Sequence, residues 1–138
     1  MLTLFGNGDL GEFYGRTDTQ TVKIEGQDAG GSQTVPLVIL IGPDTEGSPE
    51  IFAGALQGAK RAKLMGLSTP GAIEQFSEIQ LPDGSRLFLA TSSFRTPDRI
   101  DLARSGLTPD LGVKEDWDML SDDNDSAVEA AVTLLLSH

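Results

Sequence analysis

Apolar and polar residues alternate over Thr21-Val22-Lys23-Ile24-Glu25, the period-two pattern of a strand with one buried face, and glycines at 26, 30 and 31 then break it. Glycine is frequent throughout residues 1–35, so this stretch is expected as a looser N-terminal arm in which residues 21–25 form an edge strand. Pro36 opens the continuous run Leu37 to Ile41, short and β-branched, which predicts a central parallel strand covered on both faces. Beyond the turn-rich residues 42–47, Ser48-Pro49-Glu50 joins a capping hydroxyl, a proline suited to the first helical position and an acid favoured by the helix dipole. A helix over residues 49–59 is therefore predicted, with Ile51, Phe52, Ala55, Leu56 and Ala59 at helical spacing and Gly58 near its end. Arg61 to Met65 reads as a further strand, and the order strand, helix, strand implies a right-handed parallel crossover.

From Gly66 onward the pattern turns antiparallel. Ile79 to Leu81, the turn Pro82-Asp83-Gly84-Ser85 and the run Leu87 to Thr91 predict a hairpin, followed by a long loop through Thr96-Pro97 and Thr108-Pro109. The acidic stretch Glu115 to Asp125 leads into Ser126-Ala127-Val128-Glu129, the spacing of a capping box, ahead of the apolar run Ala130 to Leu136. The chain is expected to close with an amphipathic helix. No internal repeat at solenoid spacing is present. The elements together predict one α/β domain over residues 1–138: a small mixed sheet, the helix of residues 49–59 on one face, a hairpin extension and a C-terminal helix.

Charge narrows the partners. With 10 basic and 21 acidic residues the chain carries a formal net charge of −11, which repels a nucleic-acid backbone and an anionic membrane surface alike. It has no run of 18 apolar residues and no basic-then-apolar pattern of a signal peptide at its start. The absence of cysteine removes disulfides, thiolate catalysis and Cys-ligated metals. No cofactor motif is found.

The succession Pro36 to Ile41, Glu50 to Gln57, Arg61 to Gly66, Leu81 to Ser85, Thr96-Pro97, Gly106 to Asp110 and the terminal helix resembles, in order and in gaps, the core of the tail-specific (C-terminal processing) serine peptidases. The resemblance covers residues 36–136 and extends back towards Leu2. It implies a crotonase-like fold, only part of which this chain holds, and an extracytoplasmic setting. The family's nucleophilic serine, three residues before the glutamate that matches Glu50, falls on Gly47; its basic lysine, with Gly66 and Gly71 laid on the family's glycines, falls on Ala72. Both members of the dyad are missing. A serine hydroxyl is a weak nucleophile until a base takes its proton, and lysine serves as that base only when burial lowers its pKa. Glycine supplies no nucleophile and alanine no base. The family's glycine-rich oxyanion stretch would precede residue 1.

Ser48 is the fallback nucleophile, one residue from the expected position. Pro49 argues against it, because the residue after a nucleophile commonly donates its N–H to the oxyanion and proline has none, so a helix cap is the plainer role. Lys60 and Lys63 read as solvated charges, and His138 as a frayed terminus. Asp116, Asp118, Asp122, Asp123 and Asp125 lack the glycine and closing glutamate of a calcium loop and read as a solvated acidic loop, with Trp117 either anchoring it or exposed. Glu74, Gln75 and Glu78 fall near the family's base turn; Gln75 is offset by one from the family's glutamine, and exposed strand-edge charge explains all three.

Two functions follow from these residues. The first is a catalytically degenerate peptidase-like domain with a binding, assembly or scaffolding role, retaining a sheet edge that accepts a peptide or protein segment; non-proteolytic retinoid-binding relatives of the family extend this to an apolar ligand. The alternative is an active serine endopeptidase that uses Ser48, or whose site is completed by residues or subunits outside this chain, which would then be a piece of a longer protein. An exposed sheet edge also predicts self-association.

Overall fold

The computed structural model describes residues 1–113 and 125–137. In chain order the elements are α1 (Leu2–Phe5), β1 (Gly8–Gly15), β2 (Thr19–Ile24), β3 (Val38–Ile41), α2 (Ser48–Gly58), β4 (Lys63–Gly66), β5 (Gln75–Gln80), β6 (Arg86–Arg95), α3 (Leu102–Ser105), β7 (Leu111–Gly112) and α4 (Ser126–Leu136). The strands do not form one mixed sheet as expected. They form an antiparallel sheet in the order β2-β1-β6-β5 and a separate parallel sheet in the order β3-β4-β7.

The β3-α2-β4 unit matches the sequence pattern, with β3 and β4 parallel and in register from Val38–Lys63 to Ile41–Gly66. The central strand, however, is β4. Leu64 and Met65 are buried there, whereas in β3 only Ile41 is fully buried and Leu40 is exposed. A continuous apolar run shows that a strand can be covered on both faces; it carries no information about which strand has neighbours on both edges. The segment after Gly106, too short in its apolar content to announce a strand, supplies β7 and gives β4 its second neighbour.

Within residues 1–35, residues 8–24 belong to the antiparallel sheet, while residues 25–35 hold no helix or strand. β1 lies between β2 and β6, Leu10 is completely buried, and the Phe13 ring meets the Phe94 ring edge-on at 5.1 Å. Glycine here marks close approach instead of freedom. Gly11, with φ 110°, sits at a register shift between Asp9 and Glu12, and a Cβ there would lie 2.5 Å from the Arg95 carbonyl oxygen. β2 is the edge strand that the alternation predicts.

One core joins the two sheets through α2. Leu10 and Phe94 come from the antiparallel sheet, Ile41 and Leu64 from the parallel one, Ala53 and Ala55 from α2, Leu102 from α3, and Ile73 and Leu107 from the connections. Each of the larger side chains contributes roughly 1.5–3 kcal/mol by leaving water. The predicted hairpin forms, but its strands are longer than the apolar runs, with Leu81 N–H donating to Ser85 O at 2.8 Å to close the turn. The long loop that follows contains α3 and β7. α4 begins one residue earlier in its capping than expected: the Asp125 carboxylate, not Ser126, accepts the N–H groups of Ala127 (2.9 Å) and Val128 (3.0 Å). Among the described residues no helix is long and apolar enough to cross a membrane.

The end of α2 shows a local strain. Lys60 follows the C-cap Ala59 with φ 57°, the left-handed position that glycine usually fills, while Arg61 N–H returns to Leu56 O at 2.8 Å. Lys60→Gly is expected to raise stability by roughly 0.5–1 kcal/mol, the left-handed cost less the added freedom of the unfolded chain. A shift of the urea midpoint to higher concentration checks this; a lower midpoint would mean that the Lys60 side chain holds the helix end.

Candidate functional site

The corner between the start of α2 and the segment after β4 holds the two positions singled out in the sequence. Gly47 is the N-cap of α2, with φ 68° and ψ −128°, a backbone region that favours glycine. Its N–H donates to Ala72 O at 3.0 Å, so Gly47 and Ala72 lie against each other although they are far apart in the chain. A Cβ added at Gly47 would find Ala72 O as its nearest neighbour at 3.9 Å, so the corner has open space for a side chain.

Ser48 does not cap the helix. It is the first helical residue, exposed, with no side-chain cap bond at the N-terminus of α2 and no hydrogen-bond partner for its hydroxyl among the described residues. The tight glycine turn starts the helix one residue sooner than the Ser-Pro pair suggests, with Gly47 O taking the Ile51 N–H at 3.2 Å.

The residue that builds the corner is Glu50, which the sequence presents as an acid near a helix start and as the match to a family glutamate, with no sign of its burial. It is completely buried. Its Oε1 accepts from the Thr69 hydroxyl in a short hydrogen bond and from Gly71 N–H at 2.8 Å. The Thr69 hydroxyl in turn accepts from Leu107 N–H at 2.8 Å, and Thr69 N–H donates to Leu107 O at 3.1 Å. A carboxylate withdrawn from water is tolerated only when such donors replace its hydration. Its Oε2 is buried without a partner among the described residues. The partners of Glu50 are 19 and 21 residues away in sequence, so no local pattern reports the link.

The remaining candidates are scattered. Lys60 and Lys63 sit past the far end of α2, an 11-residue helix about 16 Å long. Lys63 is an exposed charge as expected, and its ammonium pairs with Asp110 at 3.0 Å. Glu78 pairs with Arg86 at 3.2 Å on exposed strands, and Glu74 and Gln75 are exposed. His138, Trp117, Asp116, Asp118, Asp122 and Asp123 lie outside the described residues. No group of three or more His, Cys, Asp or Glu among the described residues is placed to hold a metal ion.

Asp110 joins the far ends of α2 and β4. Its carboxylate accepts from Leu64 N–H at 2.9 Å, Gln57 Nε2 at 3.1 Å and Lys63 Nζ at 3.0 Å. Burial raises its pKa, but the Leu64, Lys63 and Gln57 hydrogen bonds outweigh burial, and the net shift is downward.

The model of peptidase family S41 matches residues 2–113. The carboxyl-terminal-processing protease of Picosynechococcus sp. is 35% identical over 103 residues, covering 72% of this chain and 25% of that protein. The solved structure of a photosystem II D1 C-terminal processing protease matches at TM-score 0.67 and 30% identity, over 80% of this chain and 28% of that one. A lipoprotein from Streptococcus agalactiae matches at TM-score 0.71 and 17% identity, over 98% of this chain and 47% of that one, a likeness of fold. The chain spans a quarter or less of the length of the curated relatives it matches.

Two measurements follow from this geometry. Glu50→Ala leaves the Thr69 hydroxyl and Gly71 N–H without their acceptor and is expected to cost roughly 3 kcal/mol of unfolding free energy; a loss below about 1 kcal/mol would remove Glu50 from its central place. Asp110→Asn is expected to cost about 1 kcal/mol at neutral pH. Because the folded Asp110 is more acidic than the unfolded one, its contribution is complete above the ordinary carboxylate range and is lost as pH falls through the lowered folded value. The stability difference between wild type and variant should therefore close on acidification, and a difference that persists in acid would contradict the assignment.

Proposed function

The chain belongs to peptidase family S41, and from that premise we propose that it is a catalytically degenerate peptidase-like domain whose role is to bind or assemble instead of to cleave. The observation that carries this reading is the backbone contact of Gly47 with Ala72. The resemblance assigns the nucleophile and its base to these two positions, and here they meet as N–H and carbonyl with no side-chain chemistry between them. Members of such a unit act together, and loss of one removes nearly the whole benefit, on the order of 10⁶ in rate. Ser48 does not replace them: its hydroxyl is exposed and without a base among the described residues, and Pro49 offers no N–H to an oxyanion.

Within this reading the architecture is the crotonase-like one, and the edge of β3, which pairs with no further strand among the described residues, is the acceptor for an extended segment. Leu37 O and Ile41 O are taken by Lys63 N–H and Leu67 N–H, both at 3.0 Å. The backbone groups of Val38 and Leu40 consequently point away from β4, where a peptide strand adds by main-chain hydrogen bonds.

Hydrolysis of an unstructured protein substrate by the longest natural form of the chain, compared with Ser48→Ala, tests the reading. No cleavage by either folded protein is the expected outcome. Cleavage that disappears in Ser48→Ala would overturn it and make Ser48 a relocated nucleophile, and cleavage that survives in the variant would overturn it in favour of a site completed from elsewhere.

A further inference from the structure

A cavity of about 680 Å³ opens at the end of α2 remote from Gly47, between that helix end, the first residues of β3 and β4, the chain from Thr96 to Thr108 and the last turn of α4. Its size is that of a small-molecule site, roughly 300–1,000 Å³. Leu37, Leu102, Leu107 and Leu134 give it an aliphatic lining, and among the described residues no aromatic side chain reaches it. A flat ring would find no stacking partner there, whereas a flexible hydrocarbon chain needs none.

In a chain of net charge −11, the mouth of this cavity is cationic. Three of the ten basic residues, Lys60, Arg61 and Lys63, line it together. Lys63 and Asp110 pair at 3.0 Å and offset each other. Arg61 is fixed in place, its Nη2 donating to Ser32 O and Val35 O, both at 2.8 Å. Neither acceptor carries a charge, and the Arg61 Nε is buried without an acceptor among the described residues. No carboxylate among the described residues pairs with this guanidinium or with the Lys60 ammonium. A partly buried guanidinium without a counter-charge calls for one. Asp98, which accepts from the Thr96 hydroxyl at 2.5 Å, is the other acid of the lining, so one positive charge remains in excess. Cations near a helix C-terminus are favoured by its dipole, but that does not account for the backbone of Lys60. It stands at φ 57°, where glycine would lie without strain, and strain of this kind collects at functional sites.

We propose that this cavity binds a small aliphatic carboxylate, its hydrocarbon chain along the leucines and its charged group at the mouth beside Lys60 and Arg61. The excess of one positive charge matches a monoanion. A doubly charged phosphate would bring a surplus negative charge up to Asp98 and Asp110, and a neutral ligand would leave Lys60 and Arg61 as they are. Carboxylate and guanidinium also suit each other in shape, since Arg61 keeps its Nη1 open while Nη2 holds the group in position. The site lies at the opposite end of α2 from Gly47, so this inference is independent of the state of the chemistry there.

Calorimetric titration of sodium decanoate, kept below its micelle concentration, into the longest natural form of the chain tests it, with 1-decanol as the neutral counterpart. Decanoate is expected to bind at least about tenfold more tightly than decanol. Lys60→Gly is expected to weaken decanoate about five- to tenfold and to leave decanol within about twofold. Lys23→Ala removes the same charge outside the cavity and is expected to leave decanoate within about twofold. Leu135→Ser, at the cavity, is expected to weaken both ligands, and Leu87→Ser, a leucine of similar exposure outside it (40% against 37%), to weaken neither. Should Leu135→Ser lower the melting temperature, the comparison of Lys60→Gly with Lys23→Ala carries the test. Absence of decanoate binding up to millimolar concentration would overturn the proposal, as would equal affinities for decanoate and decanol. An equal loss in Lys23→Ala and Lys60→Gly would overturn it too, and so would Leu87→Ser weakening decanoate more than Leu135→Ser, which would place the ligand on the β5–β6 hairpin.

Discussion

A single carboxylate out of contact with water organises the junction on which the rest of this fold closes. Glu50 sits in the first turn of α2, and through Thr69 and Gly71 it holds the chain that leaves β4. Thr69 passes the connection to Leu107, which belongs to the core and precedes the segment that forms β7. The third strand of the parallel sheet is thereby anchored to the helix that crosses the other two. Hydrophobic burial supplies most of the free energy of such a domain, but it is non-directional. The directional hydrogen bonds at Glu50 set where the helix start, the Ala72 turn and the Leu107 backbone lie relative to one another.

This separation of roles explains how the corner would keep its shape under the proposed loss of its chemistry. The groups that hold Gly47 beside Ala72 are main-chain atoms and the Glu50 carboxylate, none of which is a nucleophile or base of the family's dyad. Losing a serine and a lysine from such positions removes function without removing a structural hydrogen bond. Membership of the peptidase family and loss of peptidase chemistry are therefore compatible in one chain.

Legibility in the sequence followed the range of the interactions. The β3-α2-β4 unit could be read because its signals, an apolar run, a Pro-Glu start and a helical repeat, are local. The hairpin could be read from Pro82 to Ser85 for the same reason. The centre of each sheet could not: β1 and β4 owe their positions to β6 and β7, far along the chain. Helix caps were misplaced by one residue at both α2 and α4, since Gly47 and Asp125 each stand beside a serine that offers an equally good local signal. Gly47 and Ala72 were singled out through a family resemblance, and Glu50, which positions them, as a dipole partner and as the glutamate of that resemblance; its buried structural role was not foreseen because its donors are distant and its burial is invisible to a polar letter.

The backbone at Gly47 gives the proposed loss a direction in time. With φ 68° and ψ −128°, a serine there would bear the strain of a sparsely populated backbone region, on the order of 1–3 kcal/mol, and a hydroxyl without its lysine returns almost none of the rate. A lysine at position 72 without the serine returns none either. Under the proposed loss each single step back would be neutral at best, so such a domain would be free to drift towards whatever its surfaces bind while its geometry kept its ancestry.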